Sequence, residues 1–194
     1  MSQQSEHPRS AVASEASEYS SAEREQLLTL AHRAIEAALN RVVLDLNPPT
    51  VHLAQFRSAF TTLHITGKLR GCIGYVFPTQ PLYQTVAETA RSAAFEDPRF
   101  EPVTPAEAQL LQIEISVLSP LQTIAPEGIV VGKHGLVVTK GNQRGLLLPQ
   151  VPVEWDWDRE TFLSQTCLKA GLPADAWLHD VEVQAFTAEV FSDT

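Results

Sequence analysis

The chain has 194 residues, enough for one domain or for a domain carrying a second small lobe. Its 14 Lys and Arg against 23 Asp and Glu leave a net charge of −9, which repels the phosphate backbone that a nucleic-acid binder must neutralise. Two cysteines cannot build a disulfide framework, no run nears the ~18 apolar residues of a membrane span, and the N-terminus lacks the apolar core of a signal peptide. A soluble, cytoplasmic chain with two free thiols is therefore expected.

Residues 1–19 are rich in Ser, Glu and Ala, bury too little to offset the entropy of ordering, and read as a tail. A single domain is expected to follow over residues 20–194. Leu27, Leu28, Ala31, Ala34, Ile35, Ala38 and Leu39 recur at helical spacing, with Ser20 and Glu23 placed as a capping box and a stop near Asn40. The stretch "LNPPT" breaks the chain before residue 50. Thr66-Gly67 then divides two β-rich runs, predicting a hairpin with strands near 56–64 and 68–76. A second helix is expected from a Thr79 cap and Pro81, with a stripe of Leu82, Val86, Ala90 and Ala93, ending at Asp97-Pro98.

Alternation of Ile113, Ile115 and Val117 with polar residues predicts a strand with one buried face. Glycine turns at 132–135 and 141–142 split residues 125–150 into two or three short strands, which could form a small separate lobe. Phe162, Leu163, Thr166, Cys167 and Ala170 mark a helix capped by Asp156 or Asp158, with Trp155 and Trp157 packed about its start. Val181, Val183 and Ala185 mark a last strand. Helices and hairpins do not alternate as βαβ units, so the fold class is α+β, a mostly antiparallel sheet flanked by helices.

The segment "GKLRGCIGYV", residues 67–76, sets three glycines, an arginine and a cysteine in a strand. Strict alternation puts Arg70, Cys72, Gly74 and Val76 on one face, with Gly74 leaving space beside the sulfur. A guanidinium near a thiol favours the nucleophilic thiolate, and strand glycines admit a ligand or a second backbone. The same residues also fit a packed strand in which Cys72 only fills space. Cys167 lies on the apolar stripe of its helix, where a core role fits best. Glu114, between two isoleucines, is a candidate general base if it faces a pocket. No HExxH, CxxC, GxGxxG, GxxxxGK[ST] or GxSxG motif is present, so no metal, cofactor or nucleophile elbow is specified locally.

The run "LRGCIGY" resembles the signature of the AMMECR1 domain family, and "AFEDPRFEPVTPAE", "IEISVLSP", "GLLLPQVPVEWDW" and "FLSQTCLKAGLPADAW" resemble further family blocks in order. The resemblance spans roughly residues 22–191 and implies two unequal lobes with a cleft between them, the larger built from both chain ends. It implies candidate site residues Arg70, Gly71, Cys72, Gly74, Asp97, Arg99, Phe100, Glu114, Gln150 and Cys167. Bacterial members of the family are encoded beside a Memo-like and a radical SAM protein, so the resemblance implies these as candidate partners while leaving the reaction open.

Three readings stand at this point. In the first, Cys72 is a nucleophile or acceptor thiol, Arg70 steadies its anion and Glu114 moves a proton. In the second the protein is a non-catalytic adaptor, whose charged residues form structural ion pairs and whose glycines pack the lobes together. In the third an RNA base or nucleotide binds in the cleft near Arg70 and Arg99.

Overall fold

The structure is a computed structural model that describes residues 17–193. The expected tail falls outside these except for its last three residues, and those are held. The Ser17 hydroxyl donates to Glu189 (2.7 Å), and the buried Tyr19 ring stacks on His52 at 4.8 Å between centroids. Helix α1 (Ser21–Leu39) follows with the capping box formed as expected: Ser20 accepts from the Glu23 amide while Glu23 accepts from the Ser20 amide.

Strands β1 (Ala59–Ile65) and β2 (Lys68–Gly74) form the hairpin, and Thr66 and Gly67 both take positive φ in its turn. Helix α2 (Leu82–Phe95) starts after Pro81 rather than at Thr79, and a one-turn helix α3 (Pro105–Ala108), absent from the sequence reading, precedes β3 (Gln112–Leu118). Ala59, Leu63, Ile113, Ile115 and Val117 are buried on one face of this sheet against Leu27, Ala31, Ile35, Val86 and Ala90 of the helices. Burial of each larger aliphatic side chain contributes about 1.5–3 kcal/mol.

The chain then makes β4 (Gln122–Thr123), β5 (Gly135–Lys140), β6 (Gln143–Leu147), the short α4 (Val151–Glu154) and α5 (Arg159–Lys169). Asp158 is the residue that caps α5, accepting from the Thr161 amide (2.8 Å). Trp157 packs on the core beneath α5, while Trp155 is exposed and stacks on it at 6.2 Å.

The single last strand expected from periodicity is two strands, β7 (Glu182–Phe186) and β8 (Ala188–Ser192), in different sheets. One sheet has the order β2-β1-β3-β8 and the other β4-β7-β5-β6, with every neighbouring pair antiparallel. The fold is thus α+β in two lobes. The large lobe comprises residues 17–118 and 188–193; the small lobe, residues 122–186, is inserted between β3 and β8 with its own core around Phe162, Leu163 and Leu136.

The outer face of the large sheet meets the small lobe through Leu118, Val137 and Phe186, with Phe60, Leu146 and Leu148 packed around them. Two glycines make room there: a Cβ on Gly74 would stand 2.2 Å from the Phe60 ring, and one on Gly135 at 2.2 Å from the Phe186 ring. Among the described residues no helix is long and apolar enough to cross a membrane.

Candidate functional site

The register of the large sheet builds the site. Thr62 in β1 lies opposite Cys72 in β2 and opposite Glu114 in β3, and Glu114 lies opposite Ser192 in β8. Cross-strand partners point to the same face, so Cys72, Thr62, Glu114 and Ser192 form one polar row on the face away from α1 and α2. Cys72, Thr62 and Glu114 are each half-buried. The Thr62 hydroxyl donates to the Cys72 sulfur at 3.4 Å, whereas Cys72 and Glu114 stand two strand spacings, about 10 Å, apart. Sequence periodicity alone did not reveal Thr62; the hairpin register does.

Strict alternation fails at Arg70. The pairing steps from Leu63–Gly71 to His64–Leu69, so Arg70 is the extra residue of a β-bulge. Its guanidinium is committed to Glu107 in α3, donating at 2.9 and 3.3 Å, instead of standing beside Cys72 as a thiolate partner. Its Nη1 is buried without an acceptor. The Arg70 and Thr104 donors bring the Glu107 carboxyl down to about 2. The signal for Glu107 was present in "TPAE", where Thr104 and Glu107 form a capping box on a helix too short to show periodicity.

Of the two uses expected of the glycines, a ligand or a second backbone, Gly71 takes the second, and the open space expected beside Gly74 is corrected. Gly71 leaves no ligand space, because its Cβ would meet the Ala93 carbonyl oxygen of α2 at 2.1 Å. The gap expected beside Gly74 is taken by the Phe60 ring. Both glycines serve close packing.

The "DPRF" block has a sharply defined place. β2 is an edge strand, so the outward main chain of Cys72 lacks a sheet partner. Asp97 accepts from the Cys72 amide (2.9 Å), and Arg99 donates to the Cys72 carbonyl (3.3 Å). Arg99 in turn donates to both Asp97 oxygens at 2.9 and 2.7 Å. The guanidinium, with the Cys72 and Arg99 amides, holds the buried Asp97 carboxyl far below the usual carboxylate range. Arg99 is raised chiefly by its hydrogen bonds to Asp97, and the guanidinium that touches Cys72 does so at the main-chain carbonyl. The Phe100 ring receives both guanidinium groups, Arg99 at 5.5 Å and Arg70 at 6.0 Å.

Gln150 and Cys167 do not join this group. Gln150 is exposed at the start of α4 and makes no side-chain cap bond. Cys167 is 0% exposed in the small-lobe core, and burial pushes its thiol up. Among the described residues, no group of three His, Cys, Asp or Glu side chains is placed to hold a metal ion.

Fold and site together define a two-lobed α+β protein with a pinned edge-strand thiol. The AMMECR1 family pattern matches residues 28–191, and the chain belongs to that family. It is 46% identical over 183 residues to a protein of Thermococcus gammatolerans, covering 87% of this chain and 89% of that one. It is 45% identical over 183 residues to protein MK0488 of Methanopyrus kandleri, covering 88% of each. The crystal structure of protein PH0010 from Pyrococcus horikoshii matches with a TM-score of 0.73 at 44% identity, covering 87% of this chain and 90% of that one.

Proposed function

We propose that the protein handles an electrophilic small molecule or peptide group at Cys72, on the face of the large sheet turned toward the small lobe. The contrast between its two cysteines carries this reading. Cys167 is sealed in a core, as a space-filling cysteine should be; Cys72 is half-buried, holds a hydroxyl donor on its sulfur, and has both main-chain groups fixed by the buried Asp97 carboxylate and its exposed partner Arg99. In this reading Cys72 supplies the attacking or accepting sulfur. Thr62 donates to the sulfur as charge develops, Asp97 and Arg99 hold its position, and Glu114 takes a proton from a ligand lying across the row. Arg70 acts through Glu107 as a support of the bulge.

The test is alkylation of the folded chain by iodoacetamide at neutral pH, with peptide mass mapping to separate the two thiols. Cys72 is expected to react faster than glutathione, and Thr62→Val is expected to slow it. Reaction no faster than glutathione, with no effect of Thr62→Val, would count decisively against a thiol site.

A second reading is favoured by one observation. A cavity of about 330 Å3 opens between α1 and α2, floored by Ala34, Ala37 and Ala87, and beside it Val42 and Val43 are 59% and 97% exposed. An adaptor would dock there, and the family resemblance names its partners as a Memo-like and a radical SAM protein. Co-purification with those partners that survives Cys72→Ala but is lost in Val43→Glu supports the adaptor; loss in Cys72→Ala supports the thiol site.

A further inference from the structure

The chain passes between the lobes at only two places among the described residues, Ser119–Leu121 and Thr187. These crossings are tied to each other: the Ser119 amide donates to the Thr187 carbonyl and the Thr187 amide to the Ser119 hydroxyl, both at 2.9 Å. Behind them lies a cavity of about 240 Å3 lined by Ser119, Pro120, Ile124, His134, Phe186 and Thr187. Two short crossings tied to each other between the Leu118–Ala188 and Gln122–Ala185 pairs, with open space on one side, can bend as a hinge.

Elsewhere the lobes meet through the cluster of Leu118, Val137 and Phe186, with Phe60, Val76 and Leu146 packed against it, and a cation–ring contact lies beside it. Arg144 of β6 lays its guanidinium over the Phe77 ring at 4.5 Å. Phe77 follows β2 closely, so this contact sits on the same chain segment that carries Cys72 and Gly74. Arg144 is oriented from its own lobe, its Nε donating to Thr139 across the β5–β6 pair (3.1 Å). Lobe motion is the default expectation for two lobes of one chain joined by short crossings, and a cation–ring contact is strong enough to bias it without locking it.

We infer that Arg144 and Phe77 form a clasp that holds the small lobe closed over the Cys72 face, with Ser119–Leu121 and Thr187 as its hinge. The inference uses the thiol as a reporter and otherwise stands apart from the catalytic reading. The measurement is therefore made at about pH 10, above the ordinary thiol range, where alkylation reports access instead of activation. The full chain is compared with Arg144→Ala and Phe77→Ala, following Cys72 by peptide mapping and the fold by circular dichroism.

Both variants are expected to raise the Cys72 rate by about two- to fivefold, the population shift that an exposed cation–ring contact supports. An unchanged rate in both overturns the clasp. A change in Arg144→Ala alone also overturns it, because the effect is then one of charge at the thiol. If Phe77→Ala does not fold, Phe77→Leu, which removes the ring and keeps the bulk, serves in its place. A slow wild-type thiol at neutral pH combined with faster variants at high pH would reject the catalytic reading and leave the clasp standing.

Discussion

Gly71→Ala isolates what the signature glycines do. The added methyl would stand 2.1 Å from the Ala93 carbonyl oxygen, a main-chain atom of α2 that no rotamer change can move. Relief requires β2 and α2 to separate by about 1 Å, and α2 is packed through its own buried Val86, Ala87 and Ala90 into the core it shares with α1. Overpacking of this kind costs about 1–3 kcal/mol, and the contact lies at the severe end of that range. The loss of glycine entropy from the unfolded chain returns about 0.4–1 kcal/mol. The net loss of about 2 kcal/mol corresponds to a fall of about 4–8 °C in the thermal midpoint for a chain of this size. The assay is thermal unfolding followed by the helical circular dichroism signal. Gly67→Asn is the control, since Gly67 has φ +74° and nothing within 4 Å, a turn conformation that Asn accepts. A Gly71→Ala midpoint equal to that of the wild type would refute the packing argument and return the glycine to a ligand.

Asp97 and Glu107 both have carboxyls lowered on folding, so they stabilise the protein above the unfolded carboxylate range, and that contribution is lost as pH falls through their folded values. The thermal midpoint should therefore drop between about pH 4.5 and pH 2, with a smaller drop in Asp97→Asn. At neutral pH, Asp97→Asn should itself cost about 2 kcal/mol, because charged hydrogen bonds to the Cys72 amide and to Arg99 are weakened together. Glu107→Ala leaves a largely buried Arg70 without its carboxylate and should unfold at lower temperature than Glu107→Gln, as thermal scans of the pair would show. Cys167 should stay unmodified under conditions that alkylate Cys72, and Cys167→Ser should lower the midpoint without altering the Cys72 rate, as peptide mapping and calorimetry would show.

The elements with strong local chemistry were readable from residues alone. The α1 capping box, the Thr66-Gly67 turn and the Asp158 cap each rest on contacts within four residues, and each formed as expected. What could not be read depends on partners distant in sequence. A period-two pattern through Val181, Val183 and Ala185 is the same whether a strand ends or changes sheets at Thr187. The bulge that turns Arg70 toward Glu107 is a property of the β1–β2 register, invisible in β2 by itself. Cys72, Asp97, Arg99 and Phe100 were named and do come together, but as a clamp on an edge strand; Thr62 entered only through cross-strand pairing.

The insertion of residues 122–186 between β3 and β8 also constrains the order of assembly. Until the whole small lobe has been made, β3 is the open edge of a three-stranded sheet, with Ile113, Ile115 and Val117 on its inner face. Closing that edge means bringing together chain segments about 65 residues apart, which is slow for a flexible loop and much faster once the small lobe has drawn its own ends side by side. The small lobe thus acts as an internal folding aid for the large one. Damage to its core should appear first as aggregation through β3 during synthesis, before any change in the finished molecule.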